Sequence, residues 1–113
     1  MERLTHYQNL VKAFMSEFAK LANNPPMPDA EIMPVFDDEH NQYVLFKIGW
    51  TKNGRLHHIT KHVRLRDGKF WIEEDWTENG IATYLVSKGV PREEIVLAFH
   101  PPEVRPLTDY AVA

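Results

Sequence analysis

Hydrophobic side chains recur at three- and four-residue steps through the first part of the chain, from Leu4 to Leu21. This spacing places them along one stripe of an amphipathic helix. The adjacent Pro25 and Pro26 cannot continue a helix, because proline has no amide hydrogen to donate. The sequence therefore predicts a helix over about residues 3–22.

The pattern then changes to short apolar runs separated by turn residues. Residues 30–50 contain two such runs around a polar loop at Asp37–Gln42. Pro34 predicts that the first run lies at a sheet edge or carries a bulge. Asn53-Gly54 and Asp67-Gly68 are both typical of two-residue hairpin turns. We therefore expect an antiparallel sheet of about four strands built from hairpins.

The two hairpin turns also predict which residues face each other. With each dipeptide at the centre of its turn, Val44 lies opposite Val63, and Val63 lies opposite Ile72. Lys61 then falls on the apolar face, opposite Glu74, which a bulge or a position at the sheet margin would accommodate. The reverse, polar face carries aromatic, imidazole and guanidinium side chains: Tyr43, His58, His62, Arg64, Arg66 and Trp71.

The remaining chain reads as a second helix, a strand and a tail. Asp75 or Thr77 suits the N-cap of that helix, and Gly89 suits its C-terminal end. The apolar run before His100 predicts a final buried strand, and the proline-rich segment after it predicts an extended tail. The fold class is α+β, in the order α-β4-α-β, as one domain over residues 1–113.

Composition narrows the function classes. The chain has 113 residues, a net charge of −3 and no cysteine, which excludes disulfides, zinc–cysteine sites and iron–sulfur clusters. Since no apolar run approaches the roughly 20 residues of a spanning helix, we expect a cytoplasmic protein away from the membrane. The negative net charge argues against strong non-specific binding to nucleic acid phosphates.

Histidines on the predicted polar face raise the question of a metal site. His58 and His62 lie about 13 Å apart on one strand, at ~3.3 Å per residue, whereas one zinc ion binds each nitrogen at ~2.0–2.1 Å. A composite metal-dependent hydrolase site with Glu73 and Asp75 stays open, but no catalytic motif is present. We predict no cofactor, no metal and no enzyme activity. The aromatic and arginine side chains instead favour a protein interface.

The second half of the chain carries motifs that resemble a known family. They are Asp67-Gly68-Lys69, Trp71-Ile72, Thr77-Glu78, Ile81-Ala82, Leu85, Gly89-Val90-Pro91, Ile95-Val96-Leu97, Phe99-His100-Pro101-Pro102, Arg105, Thr108 and Ala111-Val112. These residues resemble the XisI-like proteins, the fdxN element excision controlling factors of cyanobacteria. The upstream half fits this family more loosely.

This resemblance implies that the protein has a regulatory role and does not itself catalyse a reaction. Such factors are associated with excision of a DNA element during heterocyst differentiation, together with a companion controlling factor and a separate recombinase. We therefore expect the polar face and the tail, including His100, Pro101, Pro102 and Arg105, to contact the companion protein. The alternatives are a homodimer, a tail that wraps its own domain, and a DNA-binding directionality factor that uses Arg64, Arg66, Lys69 and Trp71.

Overall fold

A computed structural model describes residues 2–76 and 80–113 of the chain. The helices are α1 (Glu2–Ala22) and α2 (Ile81–Ser87), and the strands are β1 (Ala30–Asp37), β2 (Gln42–Thr51), β3 (Gly54–Arg66), β4 (Lys69–Asp75) and β5 (Ile95–Leu97). Two short 3-10 helices cover Arg92–Glu94 and Arg105–Leu107. The predicted α+β class and the order of its elements are confirmed.

The five strands form one sheet in the order β1-β2-β3-β4-β5. The first four are antiparallel, and β5 runs parallel to β4. Both helices pack against one side of the sheet, which we call the inner face; the reverse side is the outer face. The core between helices and inner face is formed by buried apolar side chains that include Tyr7, Val11, Met15, Leu45, Val63, Phe70, Ile72, Ile81 and Leu85. In the described part of the chain, no helix is long and apolar enough to cross a membrane.

The second hairpin turns at the predicted residues. Asp67 and Gly68 both have positive φ, +53° and +75°, as a two-residue turn of this kind requires. Val63 pairs with Ile72 and Leu65 with Phe70, as the sequence predicted.

The first hairpin turns one residue earlier than predicted, which shifts the pairing of β2 with β3 by two residues. Thr51 pairs with Gly54, so the turn is Lys52-Asn53, and Gly54 takes a positive φ of +119° as the first residue of β3. A bulge between Leu45 and Phe46 then restores one residue of this shift. The predicted pairing of Val44 is therefore wrong, and Val44 faces His62.

A net shift of one residue exchanges the two faces of a strand. Tyr43 and Leu45 consequently lie on the inner face and are completely buried. The predicted position of Tyr43 on the exposed polar face is wrong for this reason. The bulge also separates the histidines: His58 pairs with Lys47 and His62 with Val44, three residues apart on β2, so their side chains lie on opposite faces.

Lys61 lies on the inner face, as predicted, and is only 1% exposed. A second bulge, between His62 and Val63, places it opposite Asp75 rather than Glu74. Its Nζ lies 2.6 Å from Asp75 Oδ1 and 4.6 Å from the centre of the Phe18 ring. Asp75 Oδ2 also accepts the amide of Ile81, 3.0 Å away, at the start of α2. Of the two predicted alternatives, the bulge is present, but Lys61 remains buried and its head does not reach water.

The ends of α2 agree in part with the sequence. The N-cap is Gly80 and not Asp75, although Asp75 Oδ2 accepts a hydrogen bond from the amide of Ile81, the first helical residue. Thr77 and Glu78 lie outside the described residues. Gly89 has a φ of +91° and follows the helix as its left-handed C-terminal residue.

The C-terminal segment folds back onto its own domain. It contains turns and the 3-10 helix Arg105–Leu107, so the predicted extended conformation is wrong. Ala111 forms a parallel bridge with Val96 and donates its amide to Ile95 at 2.9 Å. The Arg105 guanidinium donates to the carbonyl oxygens of Ala98 and His100 at 3.3 and 3.1 Å. The Ala111 bridge and the Arg105 side chain together hold this segment against the domain.

Candidate docking surfaces

Three of the predicted residues meet around one indole ring on the outer face. The guanidinium carbons of Arg66 and Arg105 lie 5.2 and 5.9 Å from the centre of the Trp71 ring, within the range of cation–π attraction. Trp71 Nε1 donates to the backbone oxygen of Arg66 at 3.1 Å, which fixes the ring. We call Arg66, Trp71 and Arg105 the Trp71 cluster.

The predicted residues of the C-terminal segment border this cluster. Arg105 Nε donates a hydrogen bond to the backbone oxygen of His100. The half-buried His100 ring has its centre 4.5 Å from that of the Phe99 ring. Pro101 and Pro102 follow and are exposed. The structure therefore brings six of the ten predicted site residues into one region: Arg66, Trp71, His100, Pro101, Pro102 and Arg105.

Arg64 and His62 lie on the outer face but are engaged elsewhere. Arg64 is opposite Trp71, as predicted, yet its Nε pairs with Glu73 Oε2 at 3.1 Å. His62 Nε2 lies 2.8 Å from Gln42 Oε1. Burial lowers the pKa of His62, although Glu73 nearby opposes this shift, so the neutral imidazole is favoured.

The residues of the composite hydrolase site are not brought together. His58 and His62 point to opposite faces, and Asp75 is paired with Lys61 on the inner face. Within residues 2–76 and 80–113, no group of three or more histidine, aspartate or glutamate side chains is placed to hold a metal ion.

A second surface lies on the outer face of β1, β2 and β3, and the sequence did not predict it. Its side chains are apolar and partly exposed: Met33, Val35, Val44, Phe46, Ile48 and Ile59. We call these six residues the outer apolar patch. Met33 and Val35 are 40% and 46% exposed, and Trp50, at one end, is 64% exposed. In the described part of the chain, no helix covers this face.

The sequence of β2 contained a signal for this patch. Residues 43–46 and 48 are all apolar, so the strand is hydrophobic on both faces. Such a run is typical of a strand that is covered on both sides. Here the helices cover Tyr43 and Leu45 only, and the alternate side chains remain at the surface.

Both edges of the sheet are closed to an added strand. At β1, Pro34 has no amide hydrogen to offer, and the side chain of Asn23 occupies both backbone groups of Ile32, at 2.8 and 3.0 Å. At β5, the bridge from Val96 to Ala111 occupies the other edge. A partner would therefore meet a face of this sheet rather than its edges.

Other ionisable groups support the fold near the β1–β2 loop. The hydroxyl of Tyr43 donates to Asp38 Oδ1 at 2.7 Å, and Lys12 Nζ lies 2.7 Å from Asp38 Oδ2. Both contacts lower the pKa of Asp38, Lys12 first. Burial, and then the Asp38 carboxylate, raise the pKa of Tyr43. This network holds the loop against α1.

These observations define a small α+β domain with a helix-covered inner face and an open outer face. The family model described as XisI protein matches residues 1–112. The chain therefore belongs to the XisI protein family, and the family predicted from the C-terminal motifs is confirmed.

Two crystal structures from Anabaena variabilis ATCC 29413 are similar to it over almost their whole length. One is a XisI-like protein, with 36% identity over 97% of this chain and 99% of that one, and a TM-score of 0.87. The other is the fdxN element excision controlling factor XisI, with 33% identity over 98% and 99% of the two chains and a TM-score of 0.87. No curated protein sequence matches the chain.

Proposed function

We propose that this chain is a non-enzymatic, cytoplasmic accessory factor that controls excision of a DNA element by binding a companion controlling factor. Support comes from the family and from its 33% identity to the fdxN element excision controlling factor XisI. The role is regulatory: the chain presents a surface to a protein that acts on the recombination machinery.

The observation that carries the proposal is the Trp71 cluster. Tryptophan and arginine dominate the binding energy of protein interfaces, and here two guanidiniums from distant parts of the chain flank one indole. Arg105 and Trp71 both belong to the family motifs in the sequence. The ring is prevented from rotating by its hydrogen bond to Arg66, so little side-chain entropy is lost when a partner docks.

The C-terminal segment belongs to the same surface. Arg105 holds the backbone beside Pro101 and Pro102, and Leu107 is 84% exposed. A segment that is already folded against the domain offers its exposed side chains at a fixed position. The companion is thus expected to contact Trp71 and this segment together.

The test is the affinity of the companion controlling factor for the intact chain and two variants. Trp71→Ala should weaken binding by at least about tenfold, since central aromatic residues contribute ~2 kcal/mol or more. Trp76→Ala is the matched control, because Trp76 is 75% exposed and hydrogen bonds to Glu74 rather than to the cluster. Equal affinities for both variants, with unchanged thermal melting, would contradict the proposal.

Direct DNA binding is the alternative, and the charges do not favour it. The guanidinium of Arg64 forms an ion pair with the carboxylate of Glu73, and Arg66 Nε lies 3.6 Å from Asp67 Oδ2. Lys69 Nζ donates a hydrogen bond to the backbone oxygen of Ala113. Phosphate binding would compete with all three contacts. A steep loss of DNA affinity with rising salt is the signature of phosphate contacts, and finding it would favour the DNA-binding alternative.

A further inference from the structure

We propose that a second copy of this chain covers the outer apolar patch, so that two sheets pack face to face in a symmetric dimer. This inference concerns a different surface from the Trp71 cluster and does not depend on the proposed function.

The first argument is the size and composition of the patch. It spans three strands about 4.8 Å apart and the five residues of β2 from Val44 to Ile48 at ~3.3 Å each, or about 15 by 17 Å. The main apolar patch on a protein surface is often functional. Sheets that pack face to face interdigitate such side chains across a layer ~10 Å thick. A like patch on another copy matches it in both size and polarity.

The second argument is that the sheet cannot extend sideways. Pro34 and the Asn23 side chain close the β1 edge, and Ala111 closes the β5 edge. Two copies therefore cannot join edge to edge through paired strands. Face-to-face packing remains available to them.

The third argument is the charge pattern beside the patch. On the β1 side, the exposed residues Asp29 and Glu31 lie beside β2. The backbone oxygen of Asp29 accepts a hydrogen bond from the amide of Trp50, and Glu31 pairs with Ile48 across the strands. On the β3 side, the partners of Trp50 and Ile48 are Arg55 and His57, both exposed. These pairs are Trp50–Arg55 and Ile48–His57. Near Trp50 and Ile48, the patch is thus flanked by two acidic side chains on the β1 side and by an arginine and a histidine on the β3 side.

This pattern selects one symmetry. A two-fold axis parallel to β2 lays β1 of one copy over β3 of the other, so that acids face bases at two related places. An axis across the strands would lay β1 over β1 in the reverse direction, so that Asp29 and Glu31 would not face Arg55 and His57. The face is therefore electrostatically complementary to itself only in the first arrangement.

The test begins with the mass of the full-length chain in solution. At about 100 µM, sedimentation velocity should show a dimer, because a low-micromolar Kd leaves few monomers at that concentration. Phe46→Asp should give a monomer with an unchanged far-UV circular dichroism spectrum, since Phe46 points away from the core. Trp76→Asp, off the patch, should remain a dimer.

A charge exchange tests the symmetry itself. Asp29→Lys/Glu31→Lys and Arg55→Glu/His57→Glu should each weaken self-association at least about tenfold, through like charges at both contacts. An equimolar mixture should form a heterodimer, because opposite charges then meet at both contacts. Failure of the mixture to associate would overturn the proposed arrangement.

Two other outcomes would also overturn the inference. One is a monomeric wild-type chain at about 100 µM, where a dimer of low-micromolar Kd persists. The other is loss of companion binding, rather than of self-association, in Phe46→Asp. Neither outcome affects the Trp71 test, since Trp71→Ala leaves the patch intact.

Discussion

Replacing Lys61 with methionine removes the cation from an ion pair that lies almost entirely inside the protein. The side chains of Lys61 and Asp75 are 1% and 7% exposed, and their charged atoms are 2.6 Å apart. Methionine keeps most of the apolar contact with Phe18, so the change mainly affects charge. The Asp75 carboxylate stays in its buried position but loses this cation.

The expected cost follows from that burial. Breaking a buried ion pair from one side typically destabilises a protein by about 3–5 kcal/mol. Because Asp75 also accepts the Ile81 amide, we expect the lower end, about 3 kcal/mol. At roughly 4 °C per kcal/mol for a chain of this size, the melting temperature should fall by about 12 °C.

The assay is urea and thermal unfolding followed by far-UV circular dichroism. Lys47→Met is the matched control, since Lys47 is on the same face of the sheet but only half-buried; it should change stability by no more than about 0.5 kcal/mol. Adding Asp75→Asn to Lys61→Met should recover part of the loss, because the two residues are directly coupled. A Lys61→Met protein within about 1 kcal/mol of wild type would refute the buried-charge reasoning.

Three further predictions concern single side chains. Tyr43→Phe should lose about 1.5 kcal/mol, because it removes a hydrogen bond to the charged Asp38; unchanged urea unfolding would contradict this. Burial lowers the pKa of His62 below its ordinary 6.5, so the unfolded chain takes up the proton first and stability falls as pH drops below about 6.5. His62→Gln should flatten that slope between about pH 6.5 and 5, measured by unfolding at each pH, and an unaltered slope would argue against it. Asn23→Ala should cost about 1–2 kcal/mol by freeing both backbone groups of Ile32, and should increase thioflavin-positive aggregation; neither change is expected if the β1 edge is protected by other means.

The two hairpins show where sequence reasoning succeeded and failed. Asp67-Gly68 occupies the centre of its turn, as predicted. Asn53-Gly54 does not, because a glycine with positive φ fits equally well just after a turn, as the first residue of a strand. Local sequence cannot separate these two cases, yet the choice decides which face of β2 is buried.

Lys61 was the informative misfit. A lysine on an otherwise apolar face predicted a bulge or a position at the sheet margin, and the structure has a bulge while the lysine itself stays buried. The ion pair with Asp75 was not predicted, because the bulge moves the pairing by one residue. The charged residue on the apolar face thus indicated an irregular strand, although its ion-pair partner could not be identified from the sequence.

The candidate surfaces were predicted unevenly. Trp71, Arg66 and Arg105 were named from the sequence, and the structure places them together. The outer apolar patch was missed because β2 is apolar on both faces, so alternation cannot show which side the helices cover. Tyr43 was assigned to the wrong side because the first hairpin turns one residue earlier than predicted, and the bulge restores only part of the resulting shift.

The central claim, that the companion protein docks on the Trp71 cluster, is tested most directly by hydroxyl-radical footprinting of the tryptophans. With companion protein added, oxidation of Trp71 should fall sharply, whereas oxidation of Trp76, which is 75% exposed outside the cluster, should stay the same. Unchanged oxidation of Trp71 in the complex would contradict the claim.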